Sequence, residues 1–316
     1  MCAGIELCGI VETIYSLGVL HKVQGDVAFA DRAEMIAYNA QPAAMTSDMW
    51  ARNYLSQINE IAAVTTNPHP WITDGPASTT YGLEPNFPCC TANHNQGWPK
   101  WVLSMVTVEQ VPEPRSSSRS KSGRAPKLLI TGWGPLNVTI PAEVGGSSGI
   151  VRADTAVGAG ILSIDTDYPF GDTAVIRTEG VTRPFTLALR IPGWATEATL
   201  TVYAPSSGSS GGKQGDHSIP GRAAVVVPCS NGTYHDVEIS SGSTILSLDF
   251  RPQIRLSYGW GSAGTNAVAV MRGSLVYALP LEEHYVVTCA LLRPGISGAH
   301  CFVCSNSETT PRLFVG

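Results

Sequence analysis

Phe87-Pro88-Cys89-Cys90-Thr91-Ala92-Asn93-His94 is the stretch around which this 316-residue chain is organised. Two adjacent cysteines follow a proline, and near the N-terminus Glu6-Leu7-Cys8 places a carboxylate and a thiol two residues apart. Three thiolates and one carboxylate form a ligand set that can close tetrahedrally around zinc. Because Pro88 disfavours helix for the residue before it, we expect the cysteine pair to lie on a loop, where both side chains can point inward.

The same residues have other interpretations. Cys89 and Cys90 could form a vicinal disulfide or remain two buried thiols. Cys8 could be a core residue, since free cysteine is among the most buried residue types. Glu6 on its own is typical of a carboxylate in the first turn of a helix, where it favours the helix dipole. Spacing alone therefore leaves zinc as one interpretation among several.

The composition excludes several classes of protein. Hydrophobic residues make up 43% of the chain, enough for a sizeable core, and charged residues only 14%. With 32 glycines and 22 prolines, this predicts a turn-rich protein of the secreted kind. The net charge of -5 provides no basic field for nucleic acid. No apolar run approaches the length of a membrane span, so we expect no membrane partner.

Helical patterns dominate the first hundred residues. Apolar residues recur at steps of three and four from Leu7 to Leu20, which predicts an amphipathic helix that ends at Gly25. Further helices are predicted over residues 27–44, 48–63 and 97–108. The segment 67–88 is rich in proline, glycine and aromatic residues, and long ordered loops of this kind often line active sites.

Strand patterns follow a low-complexity linker at residues 111–126. In Phe185–Ile191, apolar side chains alternate with others at a period of two, which indicates a half-buried strand. Repeated strands without intervening helices favour an antiparallel β-sandwich. The predicted strands are 127–131, 160–166, 173–178, 185–191, 198–203, 223–227, 244–250, 267–271 and 273–279. The pattern weakens in the tail, 285–316, whose Cys301-Phe302-Val303-Cys304 we interpret as incidental thiols.

Several segments together resemble one family. Gly4-Ile5-Glu6-Leu7-Cys8 and Cys89-Cys90-Thr91-Ala92-Asn93 look like the Glu-x-Cys and Cys-Cys-x-x-Asn motifs of the β-L-arabinofuranosidases, glycoside hydrolase family 127. The other matching segments follow in the family's order: Phe29–Glu34, Tyr38-Asn39, Asp167–Phe170, Leu189–Ala195 and Arg272–Tyr277. The resemblance covers roughly residues 4 to 280.

The resemblance implies a multidomain fold that contains both helices and sheets. Residues 1–110 would be the C-terminal part of an (α/α)6 catalytic toroid, 111–126 a linker, 127–284 an antiparallel β-sandwich and 285–316 an irregular tail. It also implies a Zn²⁺ cofactor, with Glu6, Cys8, Cys89 and Cys90 as ligands. Cys89 would be the nucleophile of a retaining mechanism with a covalent glycosyl-cysteine, and the partner would be an arabinose-containing glycan.

The chain departs from the family in two respects, since it lacks both the family's acid/base glutamate and most of the toroid's helices. The family's acid/base glutamate lies shortly upstream of the Glu-x-Cys motif, and only five residues precede Glu6. We therefore expect a fragment of a secreted enzyme, without a signal peptide of its own and weak or inactive as a catalyst. The alternative is a non-catalytic carbohydrate-binding or structural remnant of the same fold. No oligomeric state is predicted.

Polar and aromatic residues near the cysteines are candidates for binding sugar. Rings can stack on a sugar, and amides and carboxylates can bond to its hydroxyls. Glu84 is the carboxylate nearest to the pair in sequence. The full candidate set is Glu84, Tyr81, Asn93, His94, Trp98 and Trp71. Core packing of Trp71 and Trp98 is an equally good interpretation.

Overall fold

The structure is a computed structural model, and it describes residues 4–56, 75, 77–109, 127–141, 159–203, 223–259, 268–278, 286–288 and 304–306. Within these residues helices and several sheets are combined, which confirms the predicted mixed class. The chain forms two compact units. The first comprises Met1–Ser16, Met35–Pro99 and Ile254–Gly316, and the second comprises Leu17–Glu34 and Lys100–Gln253. The domain boundaries implied by the resemblance stay a prediction.

Four helices are described: α1 (Leu7–Gln24), α2 (Val27–Tyr38), α3 (Ala40–Ala43) and α4 (Cys89–Val102). Helix α1 begins where the apolar pattern predicts and continues to Gly25, whose positive φ of 72° suits glycine and ends the helix. Asp26 then accepts a hydrogen bond from the backbone of Ala28 at 2.9 Å, which caps the start of α2. No helix of the described residues is long and apolar enough to cross a membrane.

Helix α2 is shorter than predicted because the helical conformation is interrupted at Asn39. The Asn39 amide donates to the carbonyl oxygens of Met35 (2.6 Å) and Ser274 (2.8 Å), and its oxygen accepts from the backbone of Val276 (2.8 Å). These bonds hold a buried side chain between α2 and a strand, and the backbone of Asn39 leaves helical geometry. The motif segments Tyr38-Asn39 and Arg272–Tyr277 therefore meet through one residue.

One further helix prediction is wrong over its described residues, and another has the wrong bounds. Residues 48–56 form turns and a short strand, because Asp48 accepts hydrogen bonds from Thr46 (2.6 Å) and from the backbone of Trp50 (3.1 Å), which stabilise a turn. The rest of that segment, 57–63, lies outside the described residues. The helix predicted at 97–108 instead begins at Cys89 and ends at Val102.

The cysteine pair therefore lies on a helix and not on a loop, which corrects the prediction. Proline restricts the residue before it, here Phe87, but leaves the residues after it free to start a helix. The backbone of Ala92 donates to the carbonyl of Pro88 at 3.2 Å, which begins the helical bonding. At the first turn, adjacent side chains can both reach one point beside the helix end, and Cys89 and Cys90 do so.

The strands form five sheets in the described part of the chain. Three sheets belong to the first unit, in the orders β1-β2, β13-β14-β15 and β16-β17; the second unit contains β10-β9-β12-β7-β6-β5 and β11-β8-β4-β3. The strands are β1 (Ile5–Glu6), β2 (Leu55–Ser56), β3 (Val106–Glu109), β4 (Lys127–Ile130), β5 (Leu136–Thr139), β6 (Ile161–Asp165), β7 (Thr173–Val181), β8 (Phe185–Ile191), β9 (Thr199–Tyr203), β10 (Ala223–Pro228), β11 (Thr233–Ile239), β12 (Gly242–Asp249), β13 (Ile254–Tyr258), β14 (Val268–Arg272), β15 (Leu275–Tyr277), β16 (Val286–Thr288) and β17 (Cys304–Asn306).

One strand pair is parallel, which corrects the expectation of purely antiparallel sheets. Strands β4 and β8 run in the same direction, with Leu128 opposite Leu187. Parallel neighbours need a long connection, and here the chain between them, residues 131–184, supplies strands β5, β6 and β7 to the other sheet of the unit. Strands β3, β5, β11 and β13 were not predicted, and β3 begins within the segment predicted as helix at 97–108.

A charged network lies in the core of the second unit. The Arg190 side chain is fully buried and pairs with Asp31 and Glu34 of α2, and the Tyr168 hydroxyl donates to Glu34. The backbone of Trp133 also donates to Glu34, at 2.9 Å. Three of the motif segments that carry the resemblance thus meet in one buried network, which indicates that they stabilise the fold.

Candidate metal centre

The two cysteine motifs converge within the first unit. Glu6 ends β1, and its strand pairs with β2 so that Glu6 lies opposite Leu55. Helix α1 begins at the next residue, Leu7, whose backbone donates to the carbonyl of Tyr54 at 3.1 Å. Cys8 is therefore in the first turn of α1, and Cys90, fully buried, packs in one hydrophobic cluster with Leu7, Ile10, Val11, Ala44, Tyr54 and Leu55. The apolar face of α1 thereby brings two helix N-termini together.

Four ligand atoms meet at these helix ends. One ligand atom from each of Glu6, Cys8, Cys89 and Cys90 lies within 4.8 Å of all the others. The Sγ atoms of Cys8 and Cys90 are 3.4 Å apart, and Glu6 Oε1 lies 3.3 Å from Cys89 Sγ and 3.7 Å from Cys90 Sγ. All four residues of the predicted zinc set are thus brought together, from positions more than 80 residues apart.

The donor set and its spacing fit a metal ion such as zinc. Two sulfurs bound to one zinc in tetrahedral geometry lie about 3.8 Å apart, and a sulfur and an oxygen slightly closer. The observed separations of 3.3 to 3.7 Å lie close to these values. All three cysteines of the set are free thiols, so a vicinal disulfide is not formed. The cluster can therefore hold a metal ion without rearrangement of the backbone.

The three thiols differ in their surroundings. Cys89 is exposed, Cys8 is half-buried and Cys90 is buried. Partial desolvation, together with the hydrogen bonds that the thiol makes with Cys8 and donates to Glu6, raises the pKa of the Cys89 thiol. Burial and the same Cys8 neighbour also raise the pKa of Cys90. Without a cation, crowding of these acidic groups keeps both thiols protonated at neutral pH, and a bound cation reverses that preference.

Asn93 also belongs to the cluster. Its amide nitrogen donates to Cys8 Sγ at 3.1 Å, and its oxygen accepts from Gln96 Nε2 at 3.0 Å. Asn93 lies on α4 one turn after Cys90, so the helix carries the amide to the sulfur of α1. The bond from Gln96 fixes which end of the Asn93 amide faces the sulfur. Sequence analysis placed Asn93 near the site but assigned it to sugar.

The other sequence candidates have different partners. Glu84 Oε2 accepts from the Thr91 hydroxyl at 3.1 Å, and the Tyr81 hydroxyl donates to the carbonyl of Ala43 at 2.6 Å. The Trp98 ring is half exposed and contacts Tyr38 edge-on, with ring centroids 5.7 Å apart. Trp71 lies outside the described residues.

The His94 ring is partly buried beside the site. Burial, and then the nearby Arg52 guanidinium, lower the pKa of the His94 imidazole. The ring therefore favours the neutral form, which can donate or accept a hydrogen bond. The catalytic and binding roles that the family resemblance implies for these residues stay predictions.

One residue of the site was missed by sequence analysis. Arg52 is 2% exposed, and its Nε atom donates to Thr91 Oγ1 at 2.7 Å. Another guanidinium nitrogen donates to the carbonyl of Phe87. Arg52 falls in a segment that the sequence predicts as helix, so its pattern gave no signal of this role. Glu84 Oε1 lies 3.6 Å from the same guanidinium.

The fold is shared with known glycoside hydrolases. A solved structure of a glycoside hydrolase aligns with a TM-score of 0.59 and 19% identity, over 88% of this chain and 38% of that one. A GH127 β-L-arabinofuranosidase from Geobacillus stearothermophilus T6 aligns with a TM-score of 0.57 and 17% identity, over 90% and 40%. A further GH127 β-arabinofuranosidase aligns with 0.57 and 14%, over 90% and 41%.

These comparisons confirm the predicted resemblance at the level of the fold. No protein-family model and no curated protein sequence matches the chain. The chain spans about two fifths of the length of the solved structures that it matches. The sequence motifs and the three-dimensional likeness therefore agree on the fold.

Proposed function

We propose that the chain is part of a secreted, zinc-dependent retaining glycoside hydrolase that acts on non-reducing-end β-L-arabinofuranosides or related pentosides. In this proposal the helices are the C-terminal part of an (α/α)6 toroid and the strands of the second unit form a β-sandwich. The observation that carries the proposal is the meeting of Glu6, Cys8, Cys89 and Cys90 within 4.8 Å. The glycosidase fold supports it.

Each residue of the cluster has a separate role in the proposal. Glu6, Cys8, Cys89 and Cys90 hold the zinc ion, which supplies the charge that keeps thiolates deprotonated at neutral pH. Cys90 is buried and Cys8 receives a hydrogen bond from Asn93, so both are suited to hold the metal. Cys89 is exposed and is the sulfur that a substrate can reach.

The proposed chemistry has two steps. The Cys89 sulfur attacks the anomeric carbon, a sulfur–carbon bond forms, and the bond to the leaving-group oxygen breaks as that oxygen takes a proton from an acid. Water then attacks the same carbon, gives one proton to the conjugate base of that acid and displaces the sulfur as a thiolate, with net retention of configuration. His94, Trp98 and Tyr81 are proposed to contact the sugar.

A second function is favoured by the position of Glu84. This carboxylate accepts a hydrogen bond from Thr91 and pairs with Arg52. In that arrangement it helps to order the first turn of α4, which contains Cys89 and Cys90. A chain without a free acid near Cys89 would bind an arabinose-containing glycan without turnover. A general acid contributes about 10²–10⁴-fold to such reactions, so its absence would be visible in kcat.

Metal analysis of the purified chain tests the metal centre. We expect about one zinc per chain, lost in Cys8→Ala and Cys90→Ala. Cys229→Ala is the matched control, because Cys229 is a buried free thiol outside the cluster and its loss should leave the zinc content unchanged. A folded chain without zinc would rule out the proposed metal centre.

Turnover of an aryl β-L-arabinofuranoside separates the two functions. Turnover that is lost in Cys89→Ser supports the enzyme. Sugar binding that survives Cys89→Ser, with no turnover in either form, supports the binding protein. Turnover that is equal in the two forms would contradict the role of Cys89.

A further inference from the structure

The buried arginine beside the cysteine pair has no role in the function proposed above. Arg52 lies in the first unit, and its side chain is 3% exposed although it carries a full positive charge. A buried guanidinium is costly unless its donors are satisfied. In Arg52 each guanidinium nitrogen donates at least one hydrogen bond: Nε to Thr91, and the other two to the backbone carbonyls of Asn53 and Phe87.

The contacts of Arg52 lie on both sides of the cysteine pair. One nitrogen donates to the carbonyl oxygen of Phe87, two residues before Cys89. Nε donates to Thr91 Oγ1 at 2.7 Å, one residue after Cys90. One planar, rigid group therefore fixes the entry to α4 and its first turn together, which a flexible point charge such as lysine cannot do in the same way.

Arg52 itself is held in place by its backbone. Its N–H donates to the carbonyl of Gly82 at 3.0 Å, and its own carbonyl accepts from the N–H of Gly82 at 3.0 Å. The next residue, Asn53, donates to Ala44 at 3.0 Å. On the other side, Glu84 accepts from Thr91 at 3.1 Å and lies 3.6 Å from the guanidinium, so it closes a ring of three side chains.

We propose that Arg52 is a positioning residue that holds the first turn of α4 so that Cys89 and Cys90 face Glu6 and Cys8. The proposal deepens the function proposed above and rests on it for its consequence in metal binding. The 3.3 to 3.7 Å separations in the cluster depend on the rotation of the α4 first turn, since that turn supplies two of the four ligands. Loss of the clamp frees the turn and with it both sulfurs.

The test uses the full chain with Arg52→Met, Arg52→Lys and Thr91→Val. Arg52→Met removes both charge and hydrogen bonds, Arg52→Lys retains the charge, and Thr91→Val removes one hydroxyl with little change of volume. Arg255→Lys is the matched control, because Arg255 also donates to a backbone carbonyl of the first unit, that of Gly273 at 2.7 Å.

Two measurements are made on each variant. The first is the alkylation rate of Cys90 by iodoacetamide in the reduced, metal-free chain, followed by peptide mass spectrometry. The second is the zinc dissociation constant, from competition with a chelating dye. In Arg52→Met and Arg52→Lys we expect the alkylation rate of Cys90 and the zinc dissociation constant each to rise by about tenfold or more. Hydrogen bonds from a charged group contribute about that factor. Thr91→Val should change both in the same direction by less, and Arg255→Lys by less than about twofold.

The outcomes distinguish the clamp from the function on which it rests. If the wild-type chain binds no zinc, the metal centre fails, but the alkylation rate of Cys90 still tests the clamp. If Arg52→Met folds and keeps the wild-type protection of Cys90, the clamp is wrong. Should Arg52→Met not fold, unchanged Cys90 protection in Thr91→Val overturns the proposal. A Lys variant that matches wild type in both measurements overturns it as well.

Discussion

The sulfur atoms of Cys8 and Cys90 lie 3.4 Å apart, although 82 residues separate them in the chain. This distance is short for two thiols without a bond and long for a disulfide, whose sulfurs lie about 2.05 Å apart. A small shift of either side chain therefore brings the sulfurs into bonding distance. The same approach that favours a shared metal also favours oxidation once the metal is removed.

Oxidation of the metal-free chain should join Cys8 to Cys90. Treatment with oxidised glutathione after removal of metal is expected to give a Cys8–Cys90 cross-link in peptide maps, and bound zinc should prevent it because coordinated thiolates are occupied. Cys229 is the internal control, since it is buried elsewhere and should stay reduced. A cross-link between Cys89 and Cys90 in its place would contradict the observed geometry.

Zinc affinity should rise steeply with pH. Desolvation and the neighbouring acidic groups raise the pKa of Cys89 and of Cys90 in the metal-free chain, so each thiol must release its proton when metal binds. Affinity is therefore expected to weaken as the pH falls, and binding should release at least about two protons near neutral pH. Calorimetric titration in buffers of different ionisation enthalpy counts these protons. Release of none would mean that the thiols do not bind the metal.

The hydrogen bond from Asn93 to Cys8 should strengthen metal binding. Asn93→Leu retains the shape of the side chain and removes the donor, which lies 3.1 Å from the sulfur. Outer hydrogen bonds to metal ligands are worth about 10–100-fold in affinity, and we expect a loss in that range. Gln96→Leu serves as the comparison, because it removes only the bond that orients Asn93 and should cost less. Equal zinc affinities for all three proteins would exclude this role.

Sequence analysis predicted the four residues that cluster in the structure but misplaced the backbone of two of them. Glu6, Cys8, Cys89 and Cys90 were predicted from residue type and family motif, and the structure brings all four together. The loop prediction for Cys89 and Cys90 was wrong. It assumed that two adjacent side chains on a helix cannot point to the same place, but at the first turn of a helix both can extend past the helix end. Asn93 was predicted to bind sugar, whereas its amide donates to the sulfur of Cys8.

The strands show where local pattern is sufficient. The bounds of Phe185–Ile191 were predicted from its alternating residue types, but the strand is not half-buried as expected, because all of its residues except Thr186 are buried. Strand β13 was missed although Ile254, Leu256 and Tyr258 alternate with polar residues, and these three apolar side chains are exposed. Helix α2 is interrupted at Asn39, whose amide donates a hydrogen bond to the carbonyl of Ser274, 235 residues away in the chain. A local pattern contains no information about such a partner, nor about the two ends of the Arg52 clamp.

The ion pairs of Arg190 should stabilise the second unit. Its side chain is fully buried with Glu34, which is also fully buried, so Arg190→Met leaves an unpaired carboxylate in the core. The free energy of unfolding is expected to fall by about 3–5 kcal/mol. Arg251→Met is the control, since Arg251 is half exposed and pairs with Asp249 at 3.1 Å. An exposed pair of this kind is worth at most about 1 kcal/mol. Urea denaturation measures both, and equal losses would contradict a special role for the buried pair.

A buried histidine in the second unit should make stability depend on pH. His21 is 4% exposed, and its ring lies 2.8 Å from the Tyr234 hydroxyl. Burial, and then the Arg190 charge, lower the pKa of His21 below its ordinary 6.5, against the opposite effects of Asp26 and Asp31. The folded chain therefore keeps the ring neutral at a pH where the unfolded chain already binds a proton.

The sign of the effect follows from that difference in proton binding. The stabilisation is present above pH 6.5 and is lost as the pH falls toward the folded pKa, with a slope of up to about 1.4 kcal/mol per pH unit. Urea denaturation between pH 5 and 7 measures the slope, and His21→Gln should remove this component. Arg183→Gln is the control, because Arg183 is an exposed charge of the second unit that is not among the groups shifting the His21 pKa, and this variant should keep the slope. A slope that is the same in His21→Gln as in wild type would assign the pH dependence to other groups.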